Sequence, residues 1–263
     1  MTAQSTGRLP ADPRWALMPE GQEPGKRRAV NADGSPSRLT TYQLVGMSIA
    51  MPPGAAPAKP DARTRLLEAA LQVIRTQGYA GATVDELCQA AGVTKGAFFH
   101  HFQNKDALAI AAADYWSQIT GQLFAGAPYH DHADPLERVL AYIDFRRDLI
   151  QGEAPDFTCL VGTMAQETYA SHPDIRAACE ASIFSHARTL EADIDEARAK
   201  YAIGGEWSSA SLARHTQAVL QGAFILAKAS GDANLARESV VHLRRYVELL
   251  FKRTPSQRRK KHG

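Results

Sequence analysis

Residues 94–96, Thr-Lys-Gly, set a hydroxyl, an ammonium and a position without a side chain directly behind the glycine at position 92. That combination suits contact with a nucleic acid. Thr94 and Lys95 can meet phosphate oxygens or base edges, and Gly96 removes the bulk that would block a close approach. The amide groups of a helix starting at Thr94 would add partial positive charge facing phosphate, and Lys105 at the next helix start is placed to do the same. His100 and His101 invite a metal, but adjacent helical residues lie about 100° apart and no carboxylate or thiol stands beside them at ligand spacing. Cys88, Cys159 and Cys179 form no CxxC pair and leave one cysteine over, which suggests neither a disulfide framework nor a zinc site and fits a reducing cytoplasm. No nucleotide loop and no local Ser, His and acid constellation is present, so neither catalysis nor a cofactor nor a metal is expected.

These residues need helices to hold them, and the sequence supplies the punctuation. Asp61 can cap a helix with Leu67, Ala70, Leu71 and Ile74 on its apolar face and Gly78 as its left-handed stop. Thr83 and Glu86 form a capping box that opens a short helix ending near Ala91, and Gly92 turns the chain. Thr94 then caps a third helix through Phe99 to Phe102, and Asn104 a fourth through Leu108, Ile110, Tyr115 and Trp116. Two short helices hinged on one glycine make a helix-turn-helix, whose second helix enters the major groove. The same pair can also serve packing alone, although Lys95 and Gly96 have no role in a core. Beyond it the spacing predicts helices from Asp134 to Ile150 and from about Thr158 to Tyr169. A long one should follow from Pro173 through Ile183, Leu190 and Ala197 to a stop at Gly204, then two more over 209–230 and 232–253. No convincing strand pattern appears, so the expected fold is all-α.

Of 263 residues, 44% are hydrophobic and 22% charged, which is ordinary for a folded chain, and a formal charge of +2 requires any DNA contact to come from a local patch. No segment reaches the roughly eighteen apolar residues of a membrane span. Residues 1–60 are rich in Pro, Gly, Ser and Ala without a sustained period. They read as a disordered extension, as a basic arm around Lys26, Arg27 and Arg28 that adds phosphate contacts, or as untranslated sequence upstream of Met47 or Met51. The expected organisation is that extension, a DNA-binding domain at 61–105, a larger helical domain at 106–253 and a basic tail at 254–263.

The run TVDELCQAAGVTKGAFFHHFQNKDAL, Thr83 to Leu108, resembles the reading head of the TetR family of regulators. The capping box, the Ala-Gly-Val turn, the Thr-Lys-Gly start, the aromatic-His-His-Phe run and the following lysine all occur in order. The resemblance implies that Thr83, Thr94, Lys95, Gly96, Phe99, His100 and Lys105 face double-stranded DNA, while Phe98 and Phe102 are core. Phe99 stands where the family usually has tyrosine, which removes a hydroxyl contact to phosphate. It further implies a homodimer on a palindromic operator, closed by the last two helices, and a cavity in 106–253 for a small-molecule effector whose binding releases a repressor; an activator is the alternative. Phe145, Phe157, Met164, Tyr169 and Phe184 are candidate cavity residues, with the core as the competing location of each. The segment TCLVGTMAQE, Thr158 to Glu167, resembles a TetR subgroup that answers reactive or unsaturated molecules. Cys159, at a predicted helix start, is then a candidate electrophile or oxidant sensor, against the alternative of a small buried hydrophobe. A ligand-binding protein that no longer reads DNA is the competing function, with Phe99 for it and Lys95 against it.

Overall fold

The computed structural model describes residues 60–252, and the expectations placed on the N-terminal extension and on the basic tail lie outside the described residues. The helices are α1 Ala62–Gly81, α2 Val84–Ala91, α3 Lys95–His101, α4 Lys105–Ala125, α5 Pro135–Asp148, α6 Ala154–Phe157, α7 Leu160–Thr168, α8 Pro173–Arg188, α9 Glu191–Lys200, α10 Ser209–Ser230 and α11 Ala233–Leu250, with one 3-10 turn at Pro128–Asp131. No strand occurs among the described residues.

Short oxygen-bearing side chains open most of these helices by accepting amides that no helical carbonyl can reach. Asp61 accepts from Thr64 N at 2.7 Å, Thr94 from Ala97 N at 3.2 Å and Asn104 from Ala107 N at 2.8 Å. The Thr83 box is reciprocal: Glu86 N donates to the Thr83 hydroxyl at 3.2 Å and Thr83 N donates back to the Glu86 carboxylate at 2.9 Å. Asp134 and Asp232 open α5 and α11 in the same manner.

Two helices end differently from the sequence expectation. The long helix from Pro173 is two helices, broken at Thr189 and Leu190 without a glycine or proline. There the amides of Thr189 and Leu190 turn back to the His186 and Ala187 carbonyls, three residues away, and Leu190 drives into the core at 1% exposure. Gly78, at φ +85° and ψ 166°, breaks α1 as expected, but the chain makes one more turn before Ala82. A Cβ there would overlap the Glu167 carboxylate, which accepts the Ala80 amide at 2.7 Å, so close approach as well as φ calls for glycine.

Packing does not follow the expected boundary at residue 105. One apolar core joins Leu66, Leu71, Leu87, Phe98 and Leu108 to Leu160, Val161 and Met164 of α7 and Ile175 and Cys179 of α8. The other holds α5, α9, α10 and α11 together through residues such as Leu140, Ile194, Leu220 and Val247. Helix α1, which carries the reading head, therefore packs directly on α7.

Candidate functional site

Gly92 adopts the left-handed conformation at φ +62° and ψ 42°, and Val93 N closes the turn on Cys88 O at 3.0 Å. From α1, the Arg65 guanidinium donates to Ala91 O at 3.2 Å and Gly92 O at 3.0 Å, which clamps the last carbonyls of α2. Phe98, fully buried, fixes α3 on one side, and Phe102 is buried beside it. The opposite side of the pair is left to solvent. Thr83, Thr94, Lys95, Gly96 and His100 are exposed, and Phe99 is 56% exposed, a large area for an apolar ring. Lys95 Nζ lies 2.7 Å from Asp85 Oδ1 across the turn, with both side chains in solvent. The Thr83 hydroxyl donates its hydrogen to Glu86 at 2.8 Å. Lys105 sits differently from the expectation of a free phosphate contact. Its ammonium donates to Tyr79 O and Ala82 O, both at 3.0 Å, and lies 4.2 Å from the centre of the Tyr79 ring, so it braces the end of α1 against α4.

Nothing inside the molecule calls for glycine at position 96. A Cβ there would meet only the Thr94 hydroxyl, at 3.8 Å, in ordinary contact. Gly96→Ala is therefore expected to raise stability by about 0.5–1 kcal/mol through helix propensity. The same change is expected to weaken DNA binding, because the added methyl stands on the exposed face. Thermal melts and duplex titrations on one preparation would separate the two effects; a variant that loses stability as well would place the glycine's role inside the fold.

Behind the reading head, α4, α5, α6, α7, α8 and α10 line a partly open cavity of about 220 Å³. Trp116, Phe124, Phe157 and Phe224 form apolar walls, and Arg146 and His186 bring polar groups to it. Of the candidate cavity residues, Phe157 and Cys159 line it. The other four do not: Phe145 packs behind Phe124, with ring centres 5.6 Å apart, Met164 is fully buried in the reading-head core, and Tyr169 and Phe184 are 64% and 41% exposed. Helical periodicity places a side chain on a face but does not say whether that face meets a void, a neighbour or water. The Cys159 sulfur accepts the Gly162 amide at 3.4 Å and so serves as the cap of α7. Among the described residues no cluster of His, Cys, Asp and Glu could hold a metal ion, and no helix is long and apolar enough to cross a membrane.

Cavity and reading head meet at Arg75 of α1, which is 2% exposed. Its Nε donates to Leu71 O at 2.9 Å and an Nη to Asp156 O at 3.2 Å, and its guanidinium lies 5.3 Å from the centre of the Trp116 ring. Asp156 and Trp116 both line the cavity. Burial lowers the Arg75 pKa to about 10, with Asp156 opposing, so the group is cationic at neutral pH.

Residues 66–112 match the sequence model of bacterial regulatory proteins of the tetR family, and residues 135–243 that of the tetracyclin repressor-like C-terminal domain; together they span more than half of the chain. The chain belongs to the TetR family. Its members are regulators and not enzymes, and this regulator is a DNA-binding transcription factor with a helix-turn-helix domain followed by a helical C-terminal domain. It is 31% identical to the transcriptional regulator AcuR of Cereibacter sphaeroides over 126 residues, which are 48% of this chain and 58% of that protein. It is 24% identical to the repressor NemR of Escherichia coli over 193 residues, 71% of this chain and 94% of that one. Among solved structures, a regulatory protein TetR from Rhodobacter sphaeroides superposes with a TM-score of 0.63 at 25% identity, over 70% of this chain and 98% of that one.

In this TetR-family chain the polar side of the cavity leaves no mark in the apolar and aromatic pattern of the sequence. His186 Nε2 lies 2.9 Å from the Tyr142 hydroxyl and 3.1 Å from an Arg146 Nη. Burial, helped by the charge of Arg146, pulls the His186 pKa from 6.5 down to about 3. The unfolded chain takes up this proton below about pH 6.5 while the folded chain resists until about pH 3, so stability is full above that window and falls as pH drops through it. About 2 kcal/mol is expected to be lost between pH 7 and pH 5. The melting temperature should fall accordingly in the wild type and much less in His186→Asn; equal slopes in both proteins would remove His186 as the cause.

Proposed function

We propose that this regulator is a repressor that binds a palindromic operator as a homodimer and leaves it when a small molecule fills the cavity. Residues 61–105 read DNA through Thr94, Lys95, Gly96, Phe99 and His100, with Thr83 at the start of the preceding helix, and 106–253 senses and dimerises. The observation that carries this reading is Arg75: a buried charge on α1 bonded to the cavity wall makes the position of the reading head depend on what the wall holds. A ligand that favours one position of α6 and Trp116 shifts the population of head orientations by its differential affinity for them, tenfold for each 1.4 kcal/mol or so. Dimerisation is supported by Ile225 and Leu226 on α10 and Leu235, Tyr246 and Leu249 on α11, large apolar side chains left exposed on the last two helices. A cytoplasmic location follows from the need to reach DNA.

Selection of bound duplexes from random DNA tests the reading. Inverted half-sites one or more helical turns apart are expected, and a compound that raises the protein's melting temperature should weaken binding to the selected duplex at least tenfold. A selected site without two-fold symmetry, bound by a monomer, would contradict it.

A further inference from the structure

Two charged side chains face the cavity, and they are used differently. Asp156 is occupied: its carboxylate accepts the Glu153 amide at 2.9 Å in the capping box that opens α6, and its carbonyl holds Arg75. Arg146 has no counter-charge among the described residues. Its Nη1 donates to the Tyr142 hydroxyl at 3.3 Å and to His186 Nε2 at 3.1 Å, and its guanidinium lies 5.1 Å from the centre of the Phe124 ring. Among the described residues no carboxylate forms an ion pair with it. Its neighbours on α5 do not share this state: Arg138 meets Asp193 and Glu196, and Arg147 meets Asp144 and Asp148.

The described hydrogen-bond partners of Arg146 supply no negative charge. A guanidinium only donates, so the His186 nitrogen facing it presents a lone pair, and the imidazole is neutral with its proton on Nδ1. The Tyr142 hydroxyl, which also receives a bond from Gln217 at 3.3 Å, donates to that same nitrogen. The network carries one positive charge, unpaired among the described residues, at the edge of a cavity whose exposed walls are mainly apolar. Arg146 is half-buried, and a charge drawn partly out of water into an apolar wall is held best when it is paired. The planar fork of a guanidinium matches the two oxygens of a carboxylate.

We propose that the effector is a small monocarboxylate, its carboxylate held by Arg146 and its apolar body lying against Trp116, Phe124, Phe157 and Phe224. This rests on the reading of the cavity as the effector site, and it says which chemistry that site selects. The aromatic walls argue against a fully hydrated anion such as inorganic phosphate, and the volume of about 220 Å³ against a large one.

Calorimetric titration of the full chain without DNA, using benzoate, its neutral isostere benzamide and inorganic phosphate, tests the proposal. Benzoate should bind about tenfold or more tightly than benzamide, phosphate should not displace it, and Arg146→Gln should bring benzoate down to the benzamide level. Arg146→Lys, which keeps the charge, should retain part of the preference and serves if the glutamine variant does not fold. Equal binding of benzoate and benzamide, tight binding of phosphate alone, or no binding of benzoate, octanoate and naphthoate at millimolar concentration would overturn it. Because DNA is absent, carboxylate recognition stands or falls apart from release: benzoate that binds yet leaves the operator complex intact would sink the effector reading alone.

Discussion

Arg75→Ala is expected to lower stability by about 3 kcal/mol, or roughly 6–12 °C in melting temperature. The change removes a charge-assisted bond from α1 to Asp156 O, a bond to Leu71 O and the contact with the Trp116 ring, and it leaves a void at a position 2% exposed. Arg75→Met separates packing from signalling. A thioether, shorter by two bonds but flexible and apolar, fills most of the space without the penalty of burying charge, so this variant should fold with a smaller loss, about 1.5 kcal/mol. It cannot bond to the Asp156 carbonyl. A compound that stabilises the wild-type chain should therefore still bind the methionine variant with affinity little changed, while its effect on duplex affinity shrinks from at least tenfold to less than about threefold. Binding with and without duplex gives both numbers. A methionine variant whose duplex affinity responds to ligand as the wild type does would show that the signal travels elsewhere, with the Glu167 bond to the Ala80 amide as the next contact to cut.

The second large effect concerns the exposed pair of Lys95 and Asp85, whose charged atoms lie 2.7 Å apart. An exposed pair adds little to stability. Removing either member should leave the melting temperature within about a degree. On DNA the two members act in opposite directions. Lys95→Ala loses a base or phosphate contact and should weaken specific binding by about tenfold to a hundredfold. Asp85→Asn frees the ammonium and removes a negative charge facing the phosphates. It should strengthen binding about threefold to tenfold at low salt, with the gain shrinking as salt rises. Duplex titrations at several salt concentrations check both; an Asp85→Asn variant that binds more weakly would mean that the pair itself positions Lys95 for the groove.

How far the residues announced this architecture depends on the kind of interaction. Helix starts at Asp61, Thr83, Thr94, Asn104, Asp134 and Asp232 were legible because a cap is a contact over two or three residues, written in the sequence itself. The break at Thr189 and Leu190 was not, because it is imposed by burial of Leu190 among helices distant in sequence. On the candidate interface, Thr94, Lys95, Gly96, Phe99 and His100 lie together on one exposed face, while the ammonium of Lys105 is taken up by carbonyls that only the fold brings near. The cavity was the least legible part. Its aromatic residues resemble core, and its distinguishing groups, Arg146 and His186, are polar residues that an apolar stripe does not mark. Arg75 did leave a signal: it stands four residues after Leu71, on the face of α1 that Leu67, Leu71 and Ile74 bury, and a charged residue there must find an internal partner.

The account turns on sequence-specific DNA reading by the face that carries Lys95. Titrating the full chain against a fluorescent duplex recovered by selection, and against a scrambled duplex of the same composition, at about 150 mM salt where non-specific phosphate binding is weak, tests this most directly. The account predicts binding to the selected duplex at least a hundredfold tighter than to the scrambled one, and loss of most of that difference in Lys95→Ala. Equal, weak and steeply salt-dependent binding of both duplexes, unchanged in the variant, would contradict it.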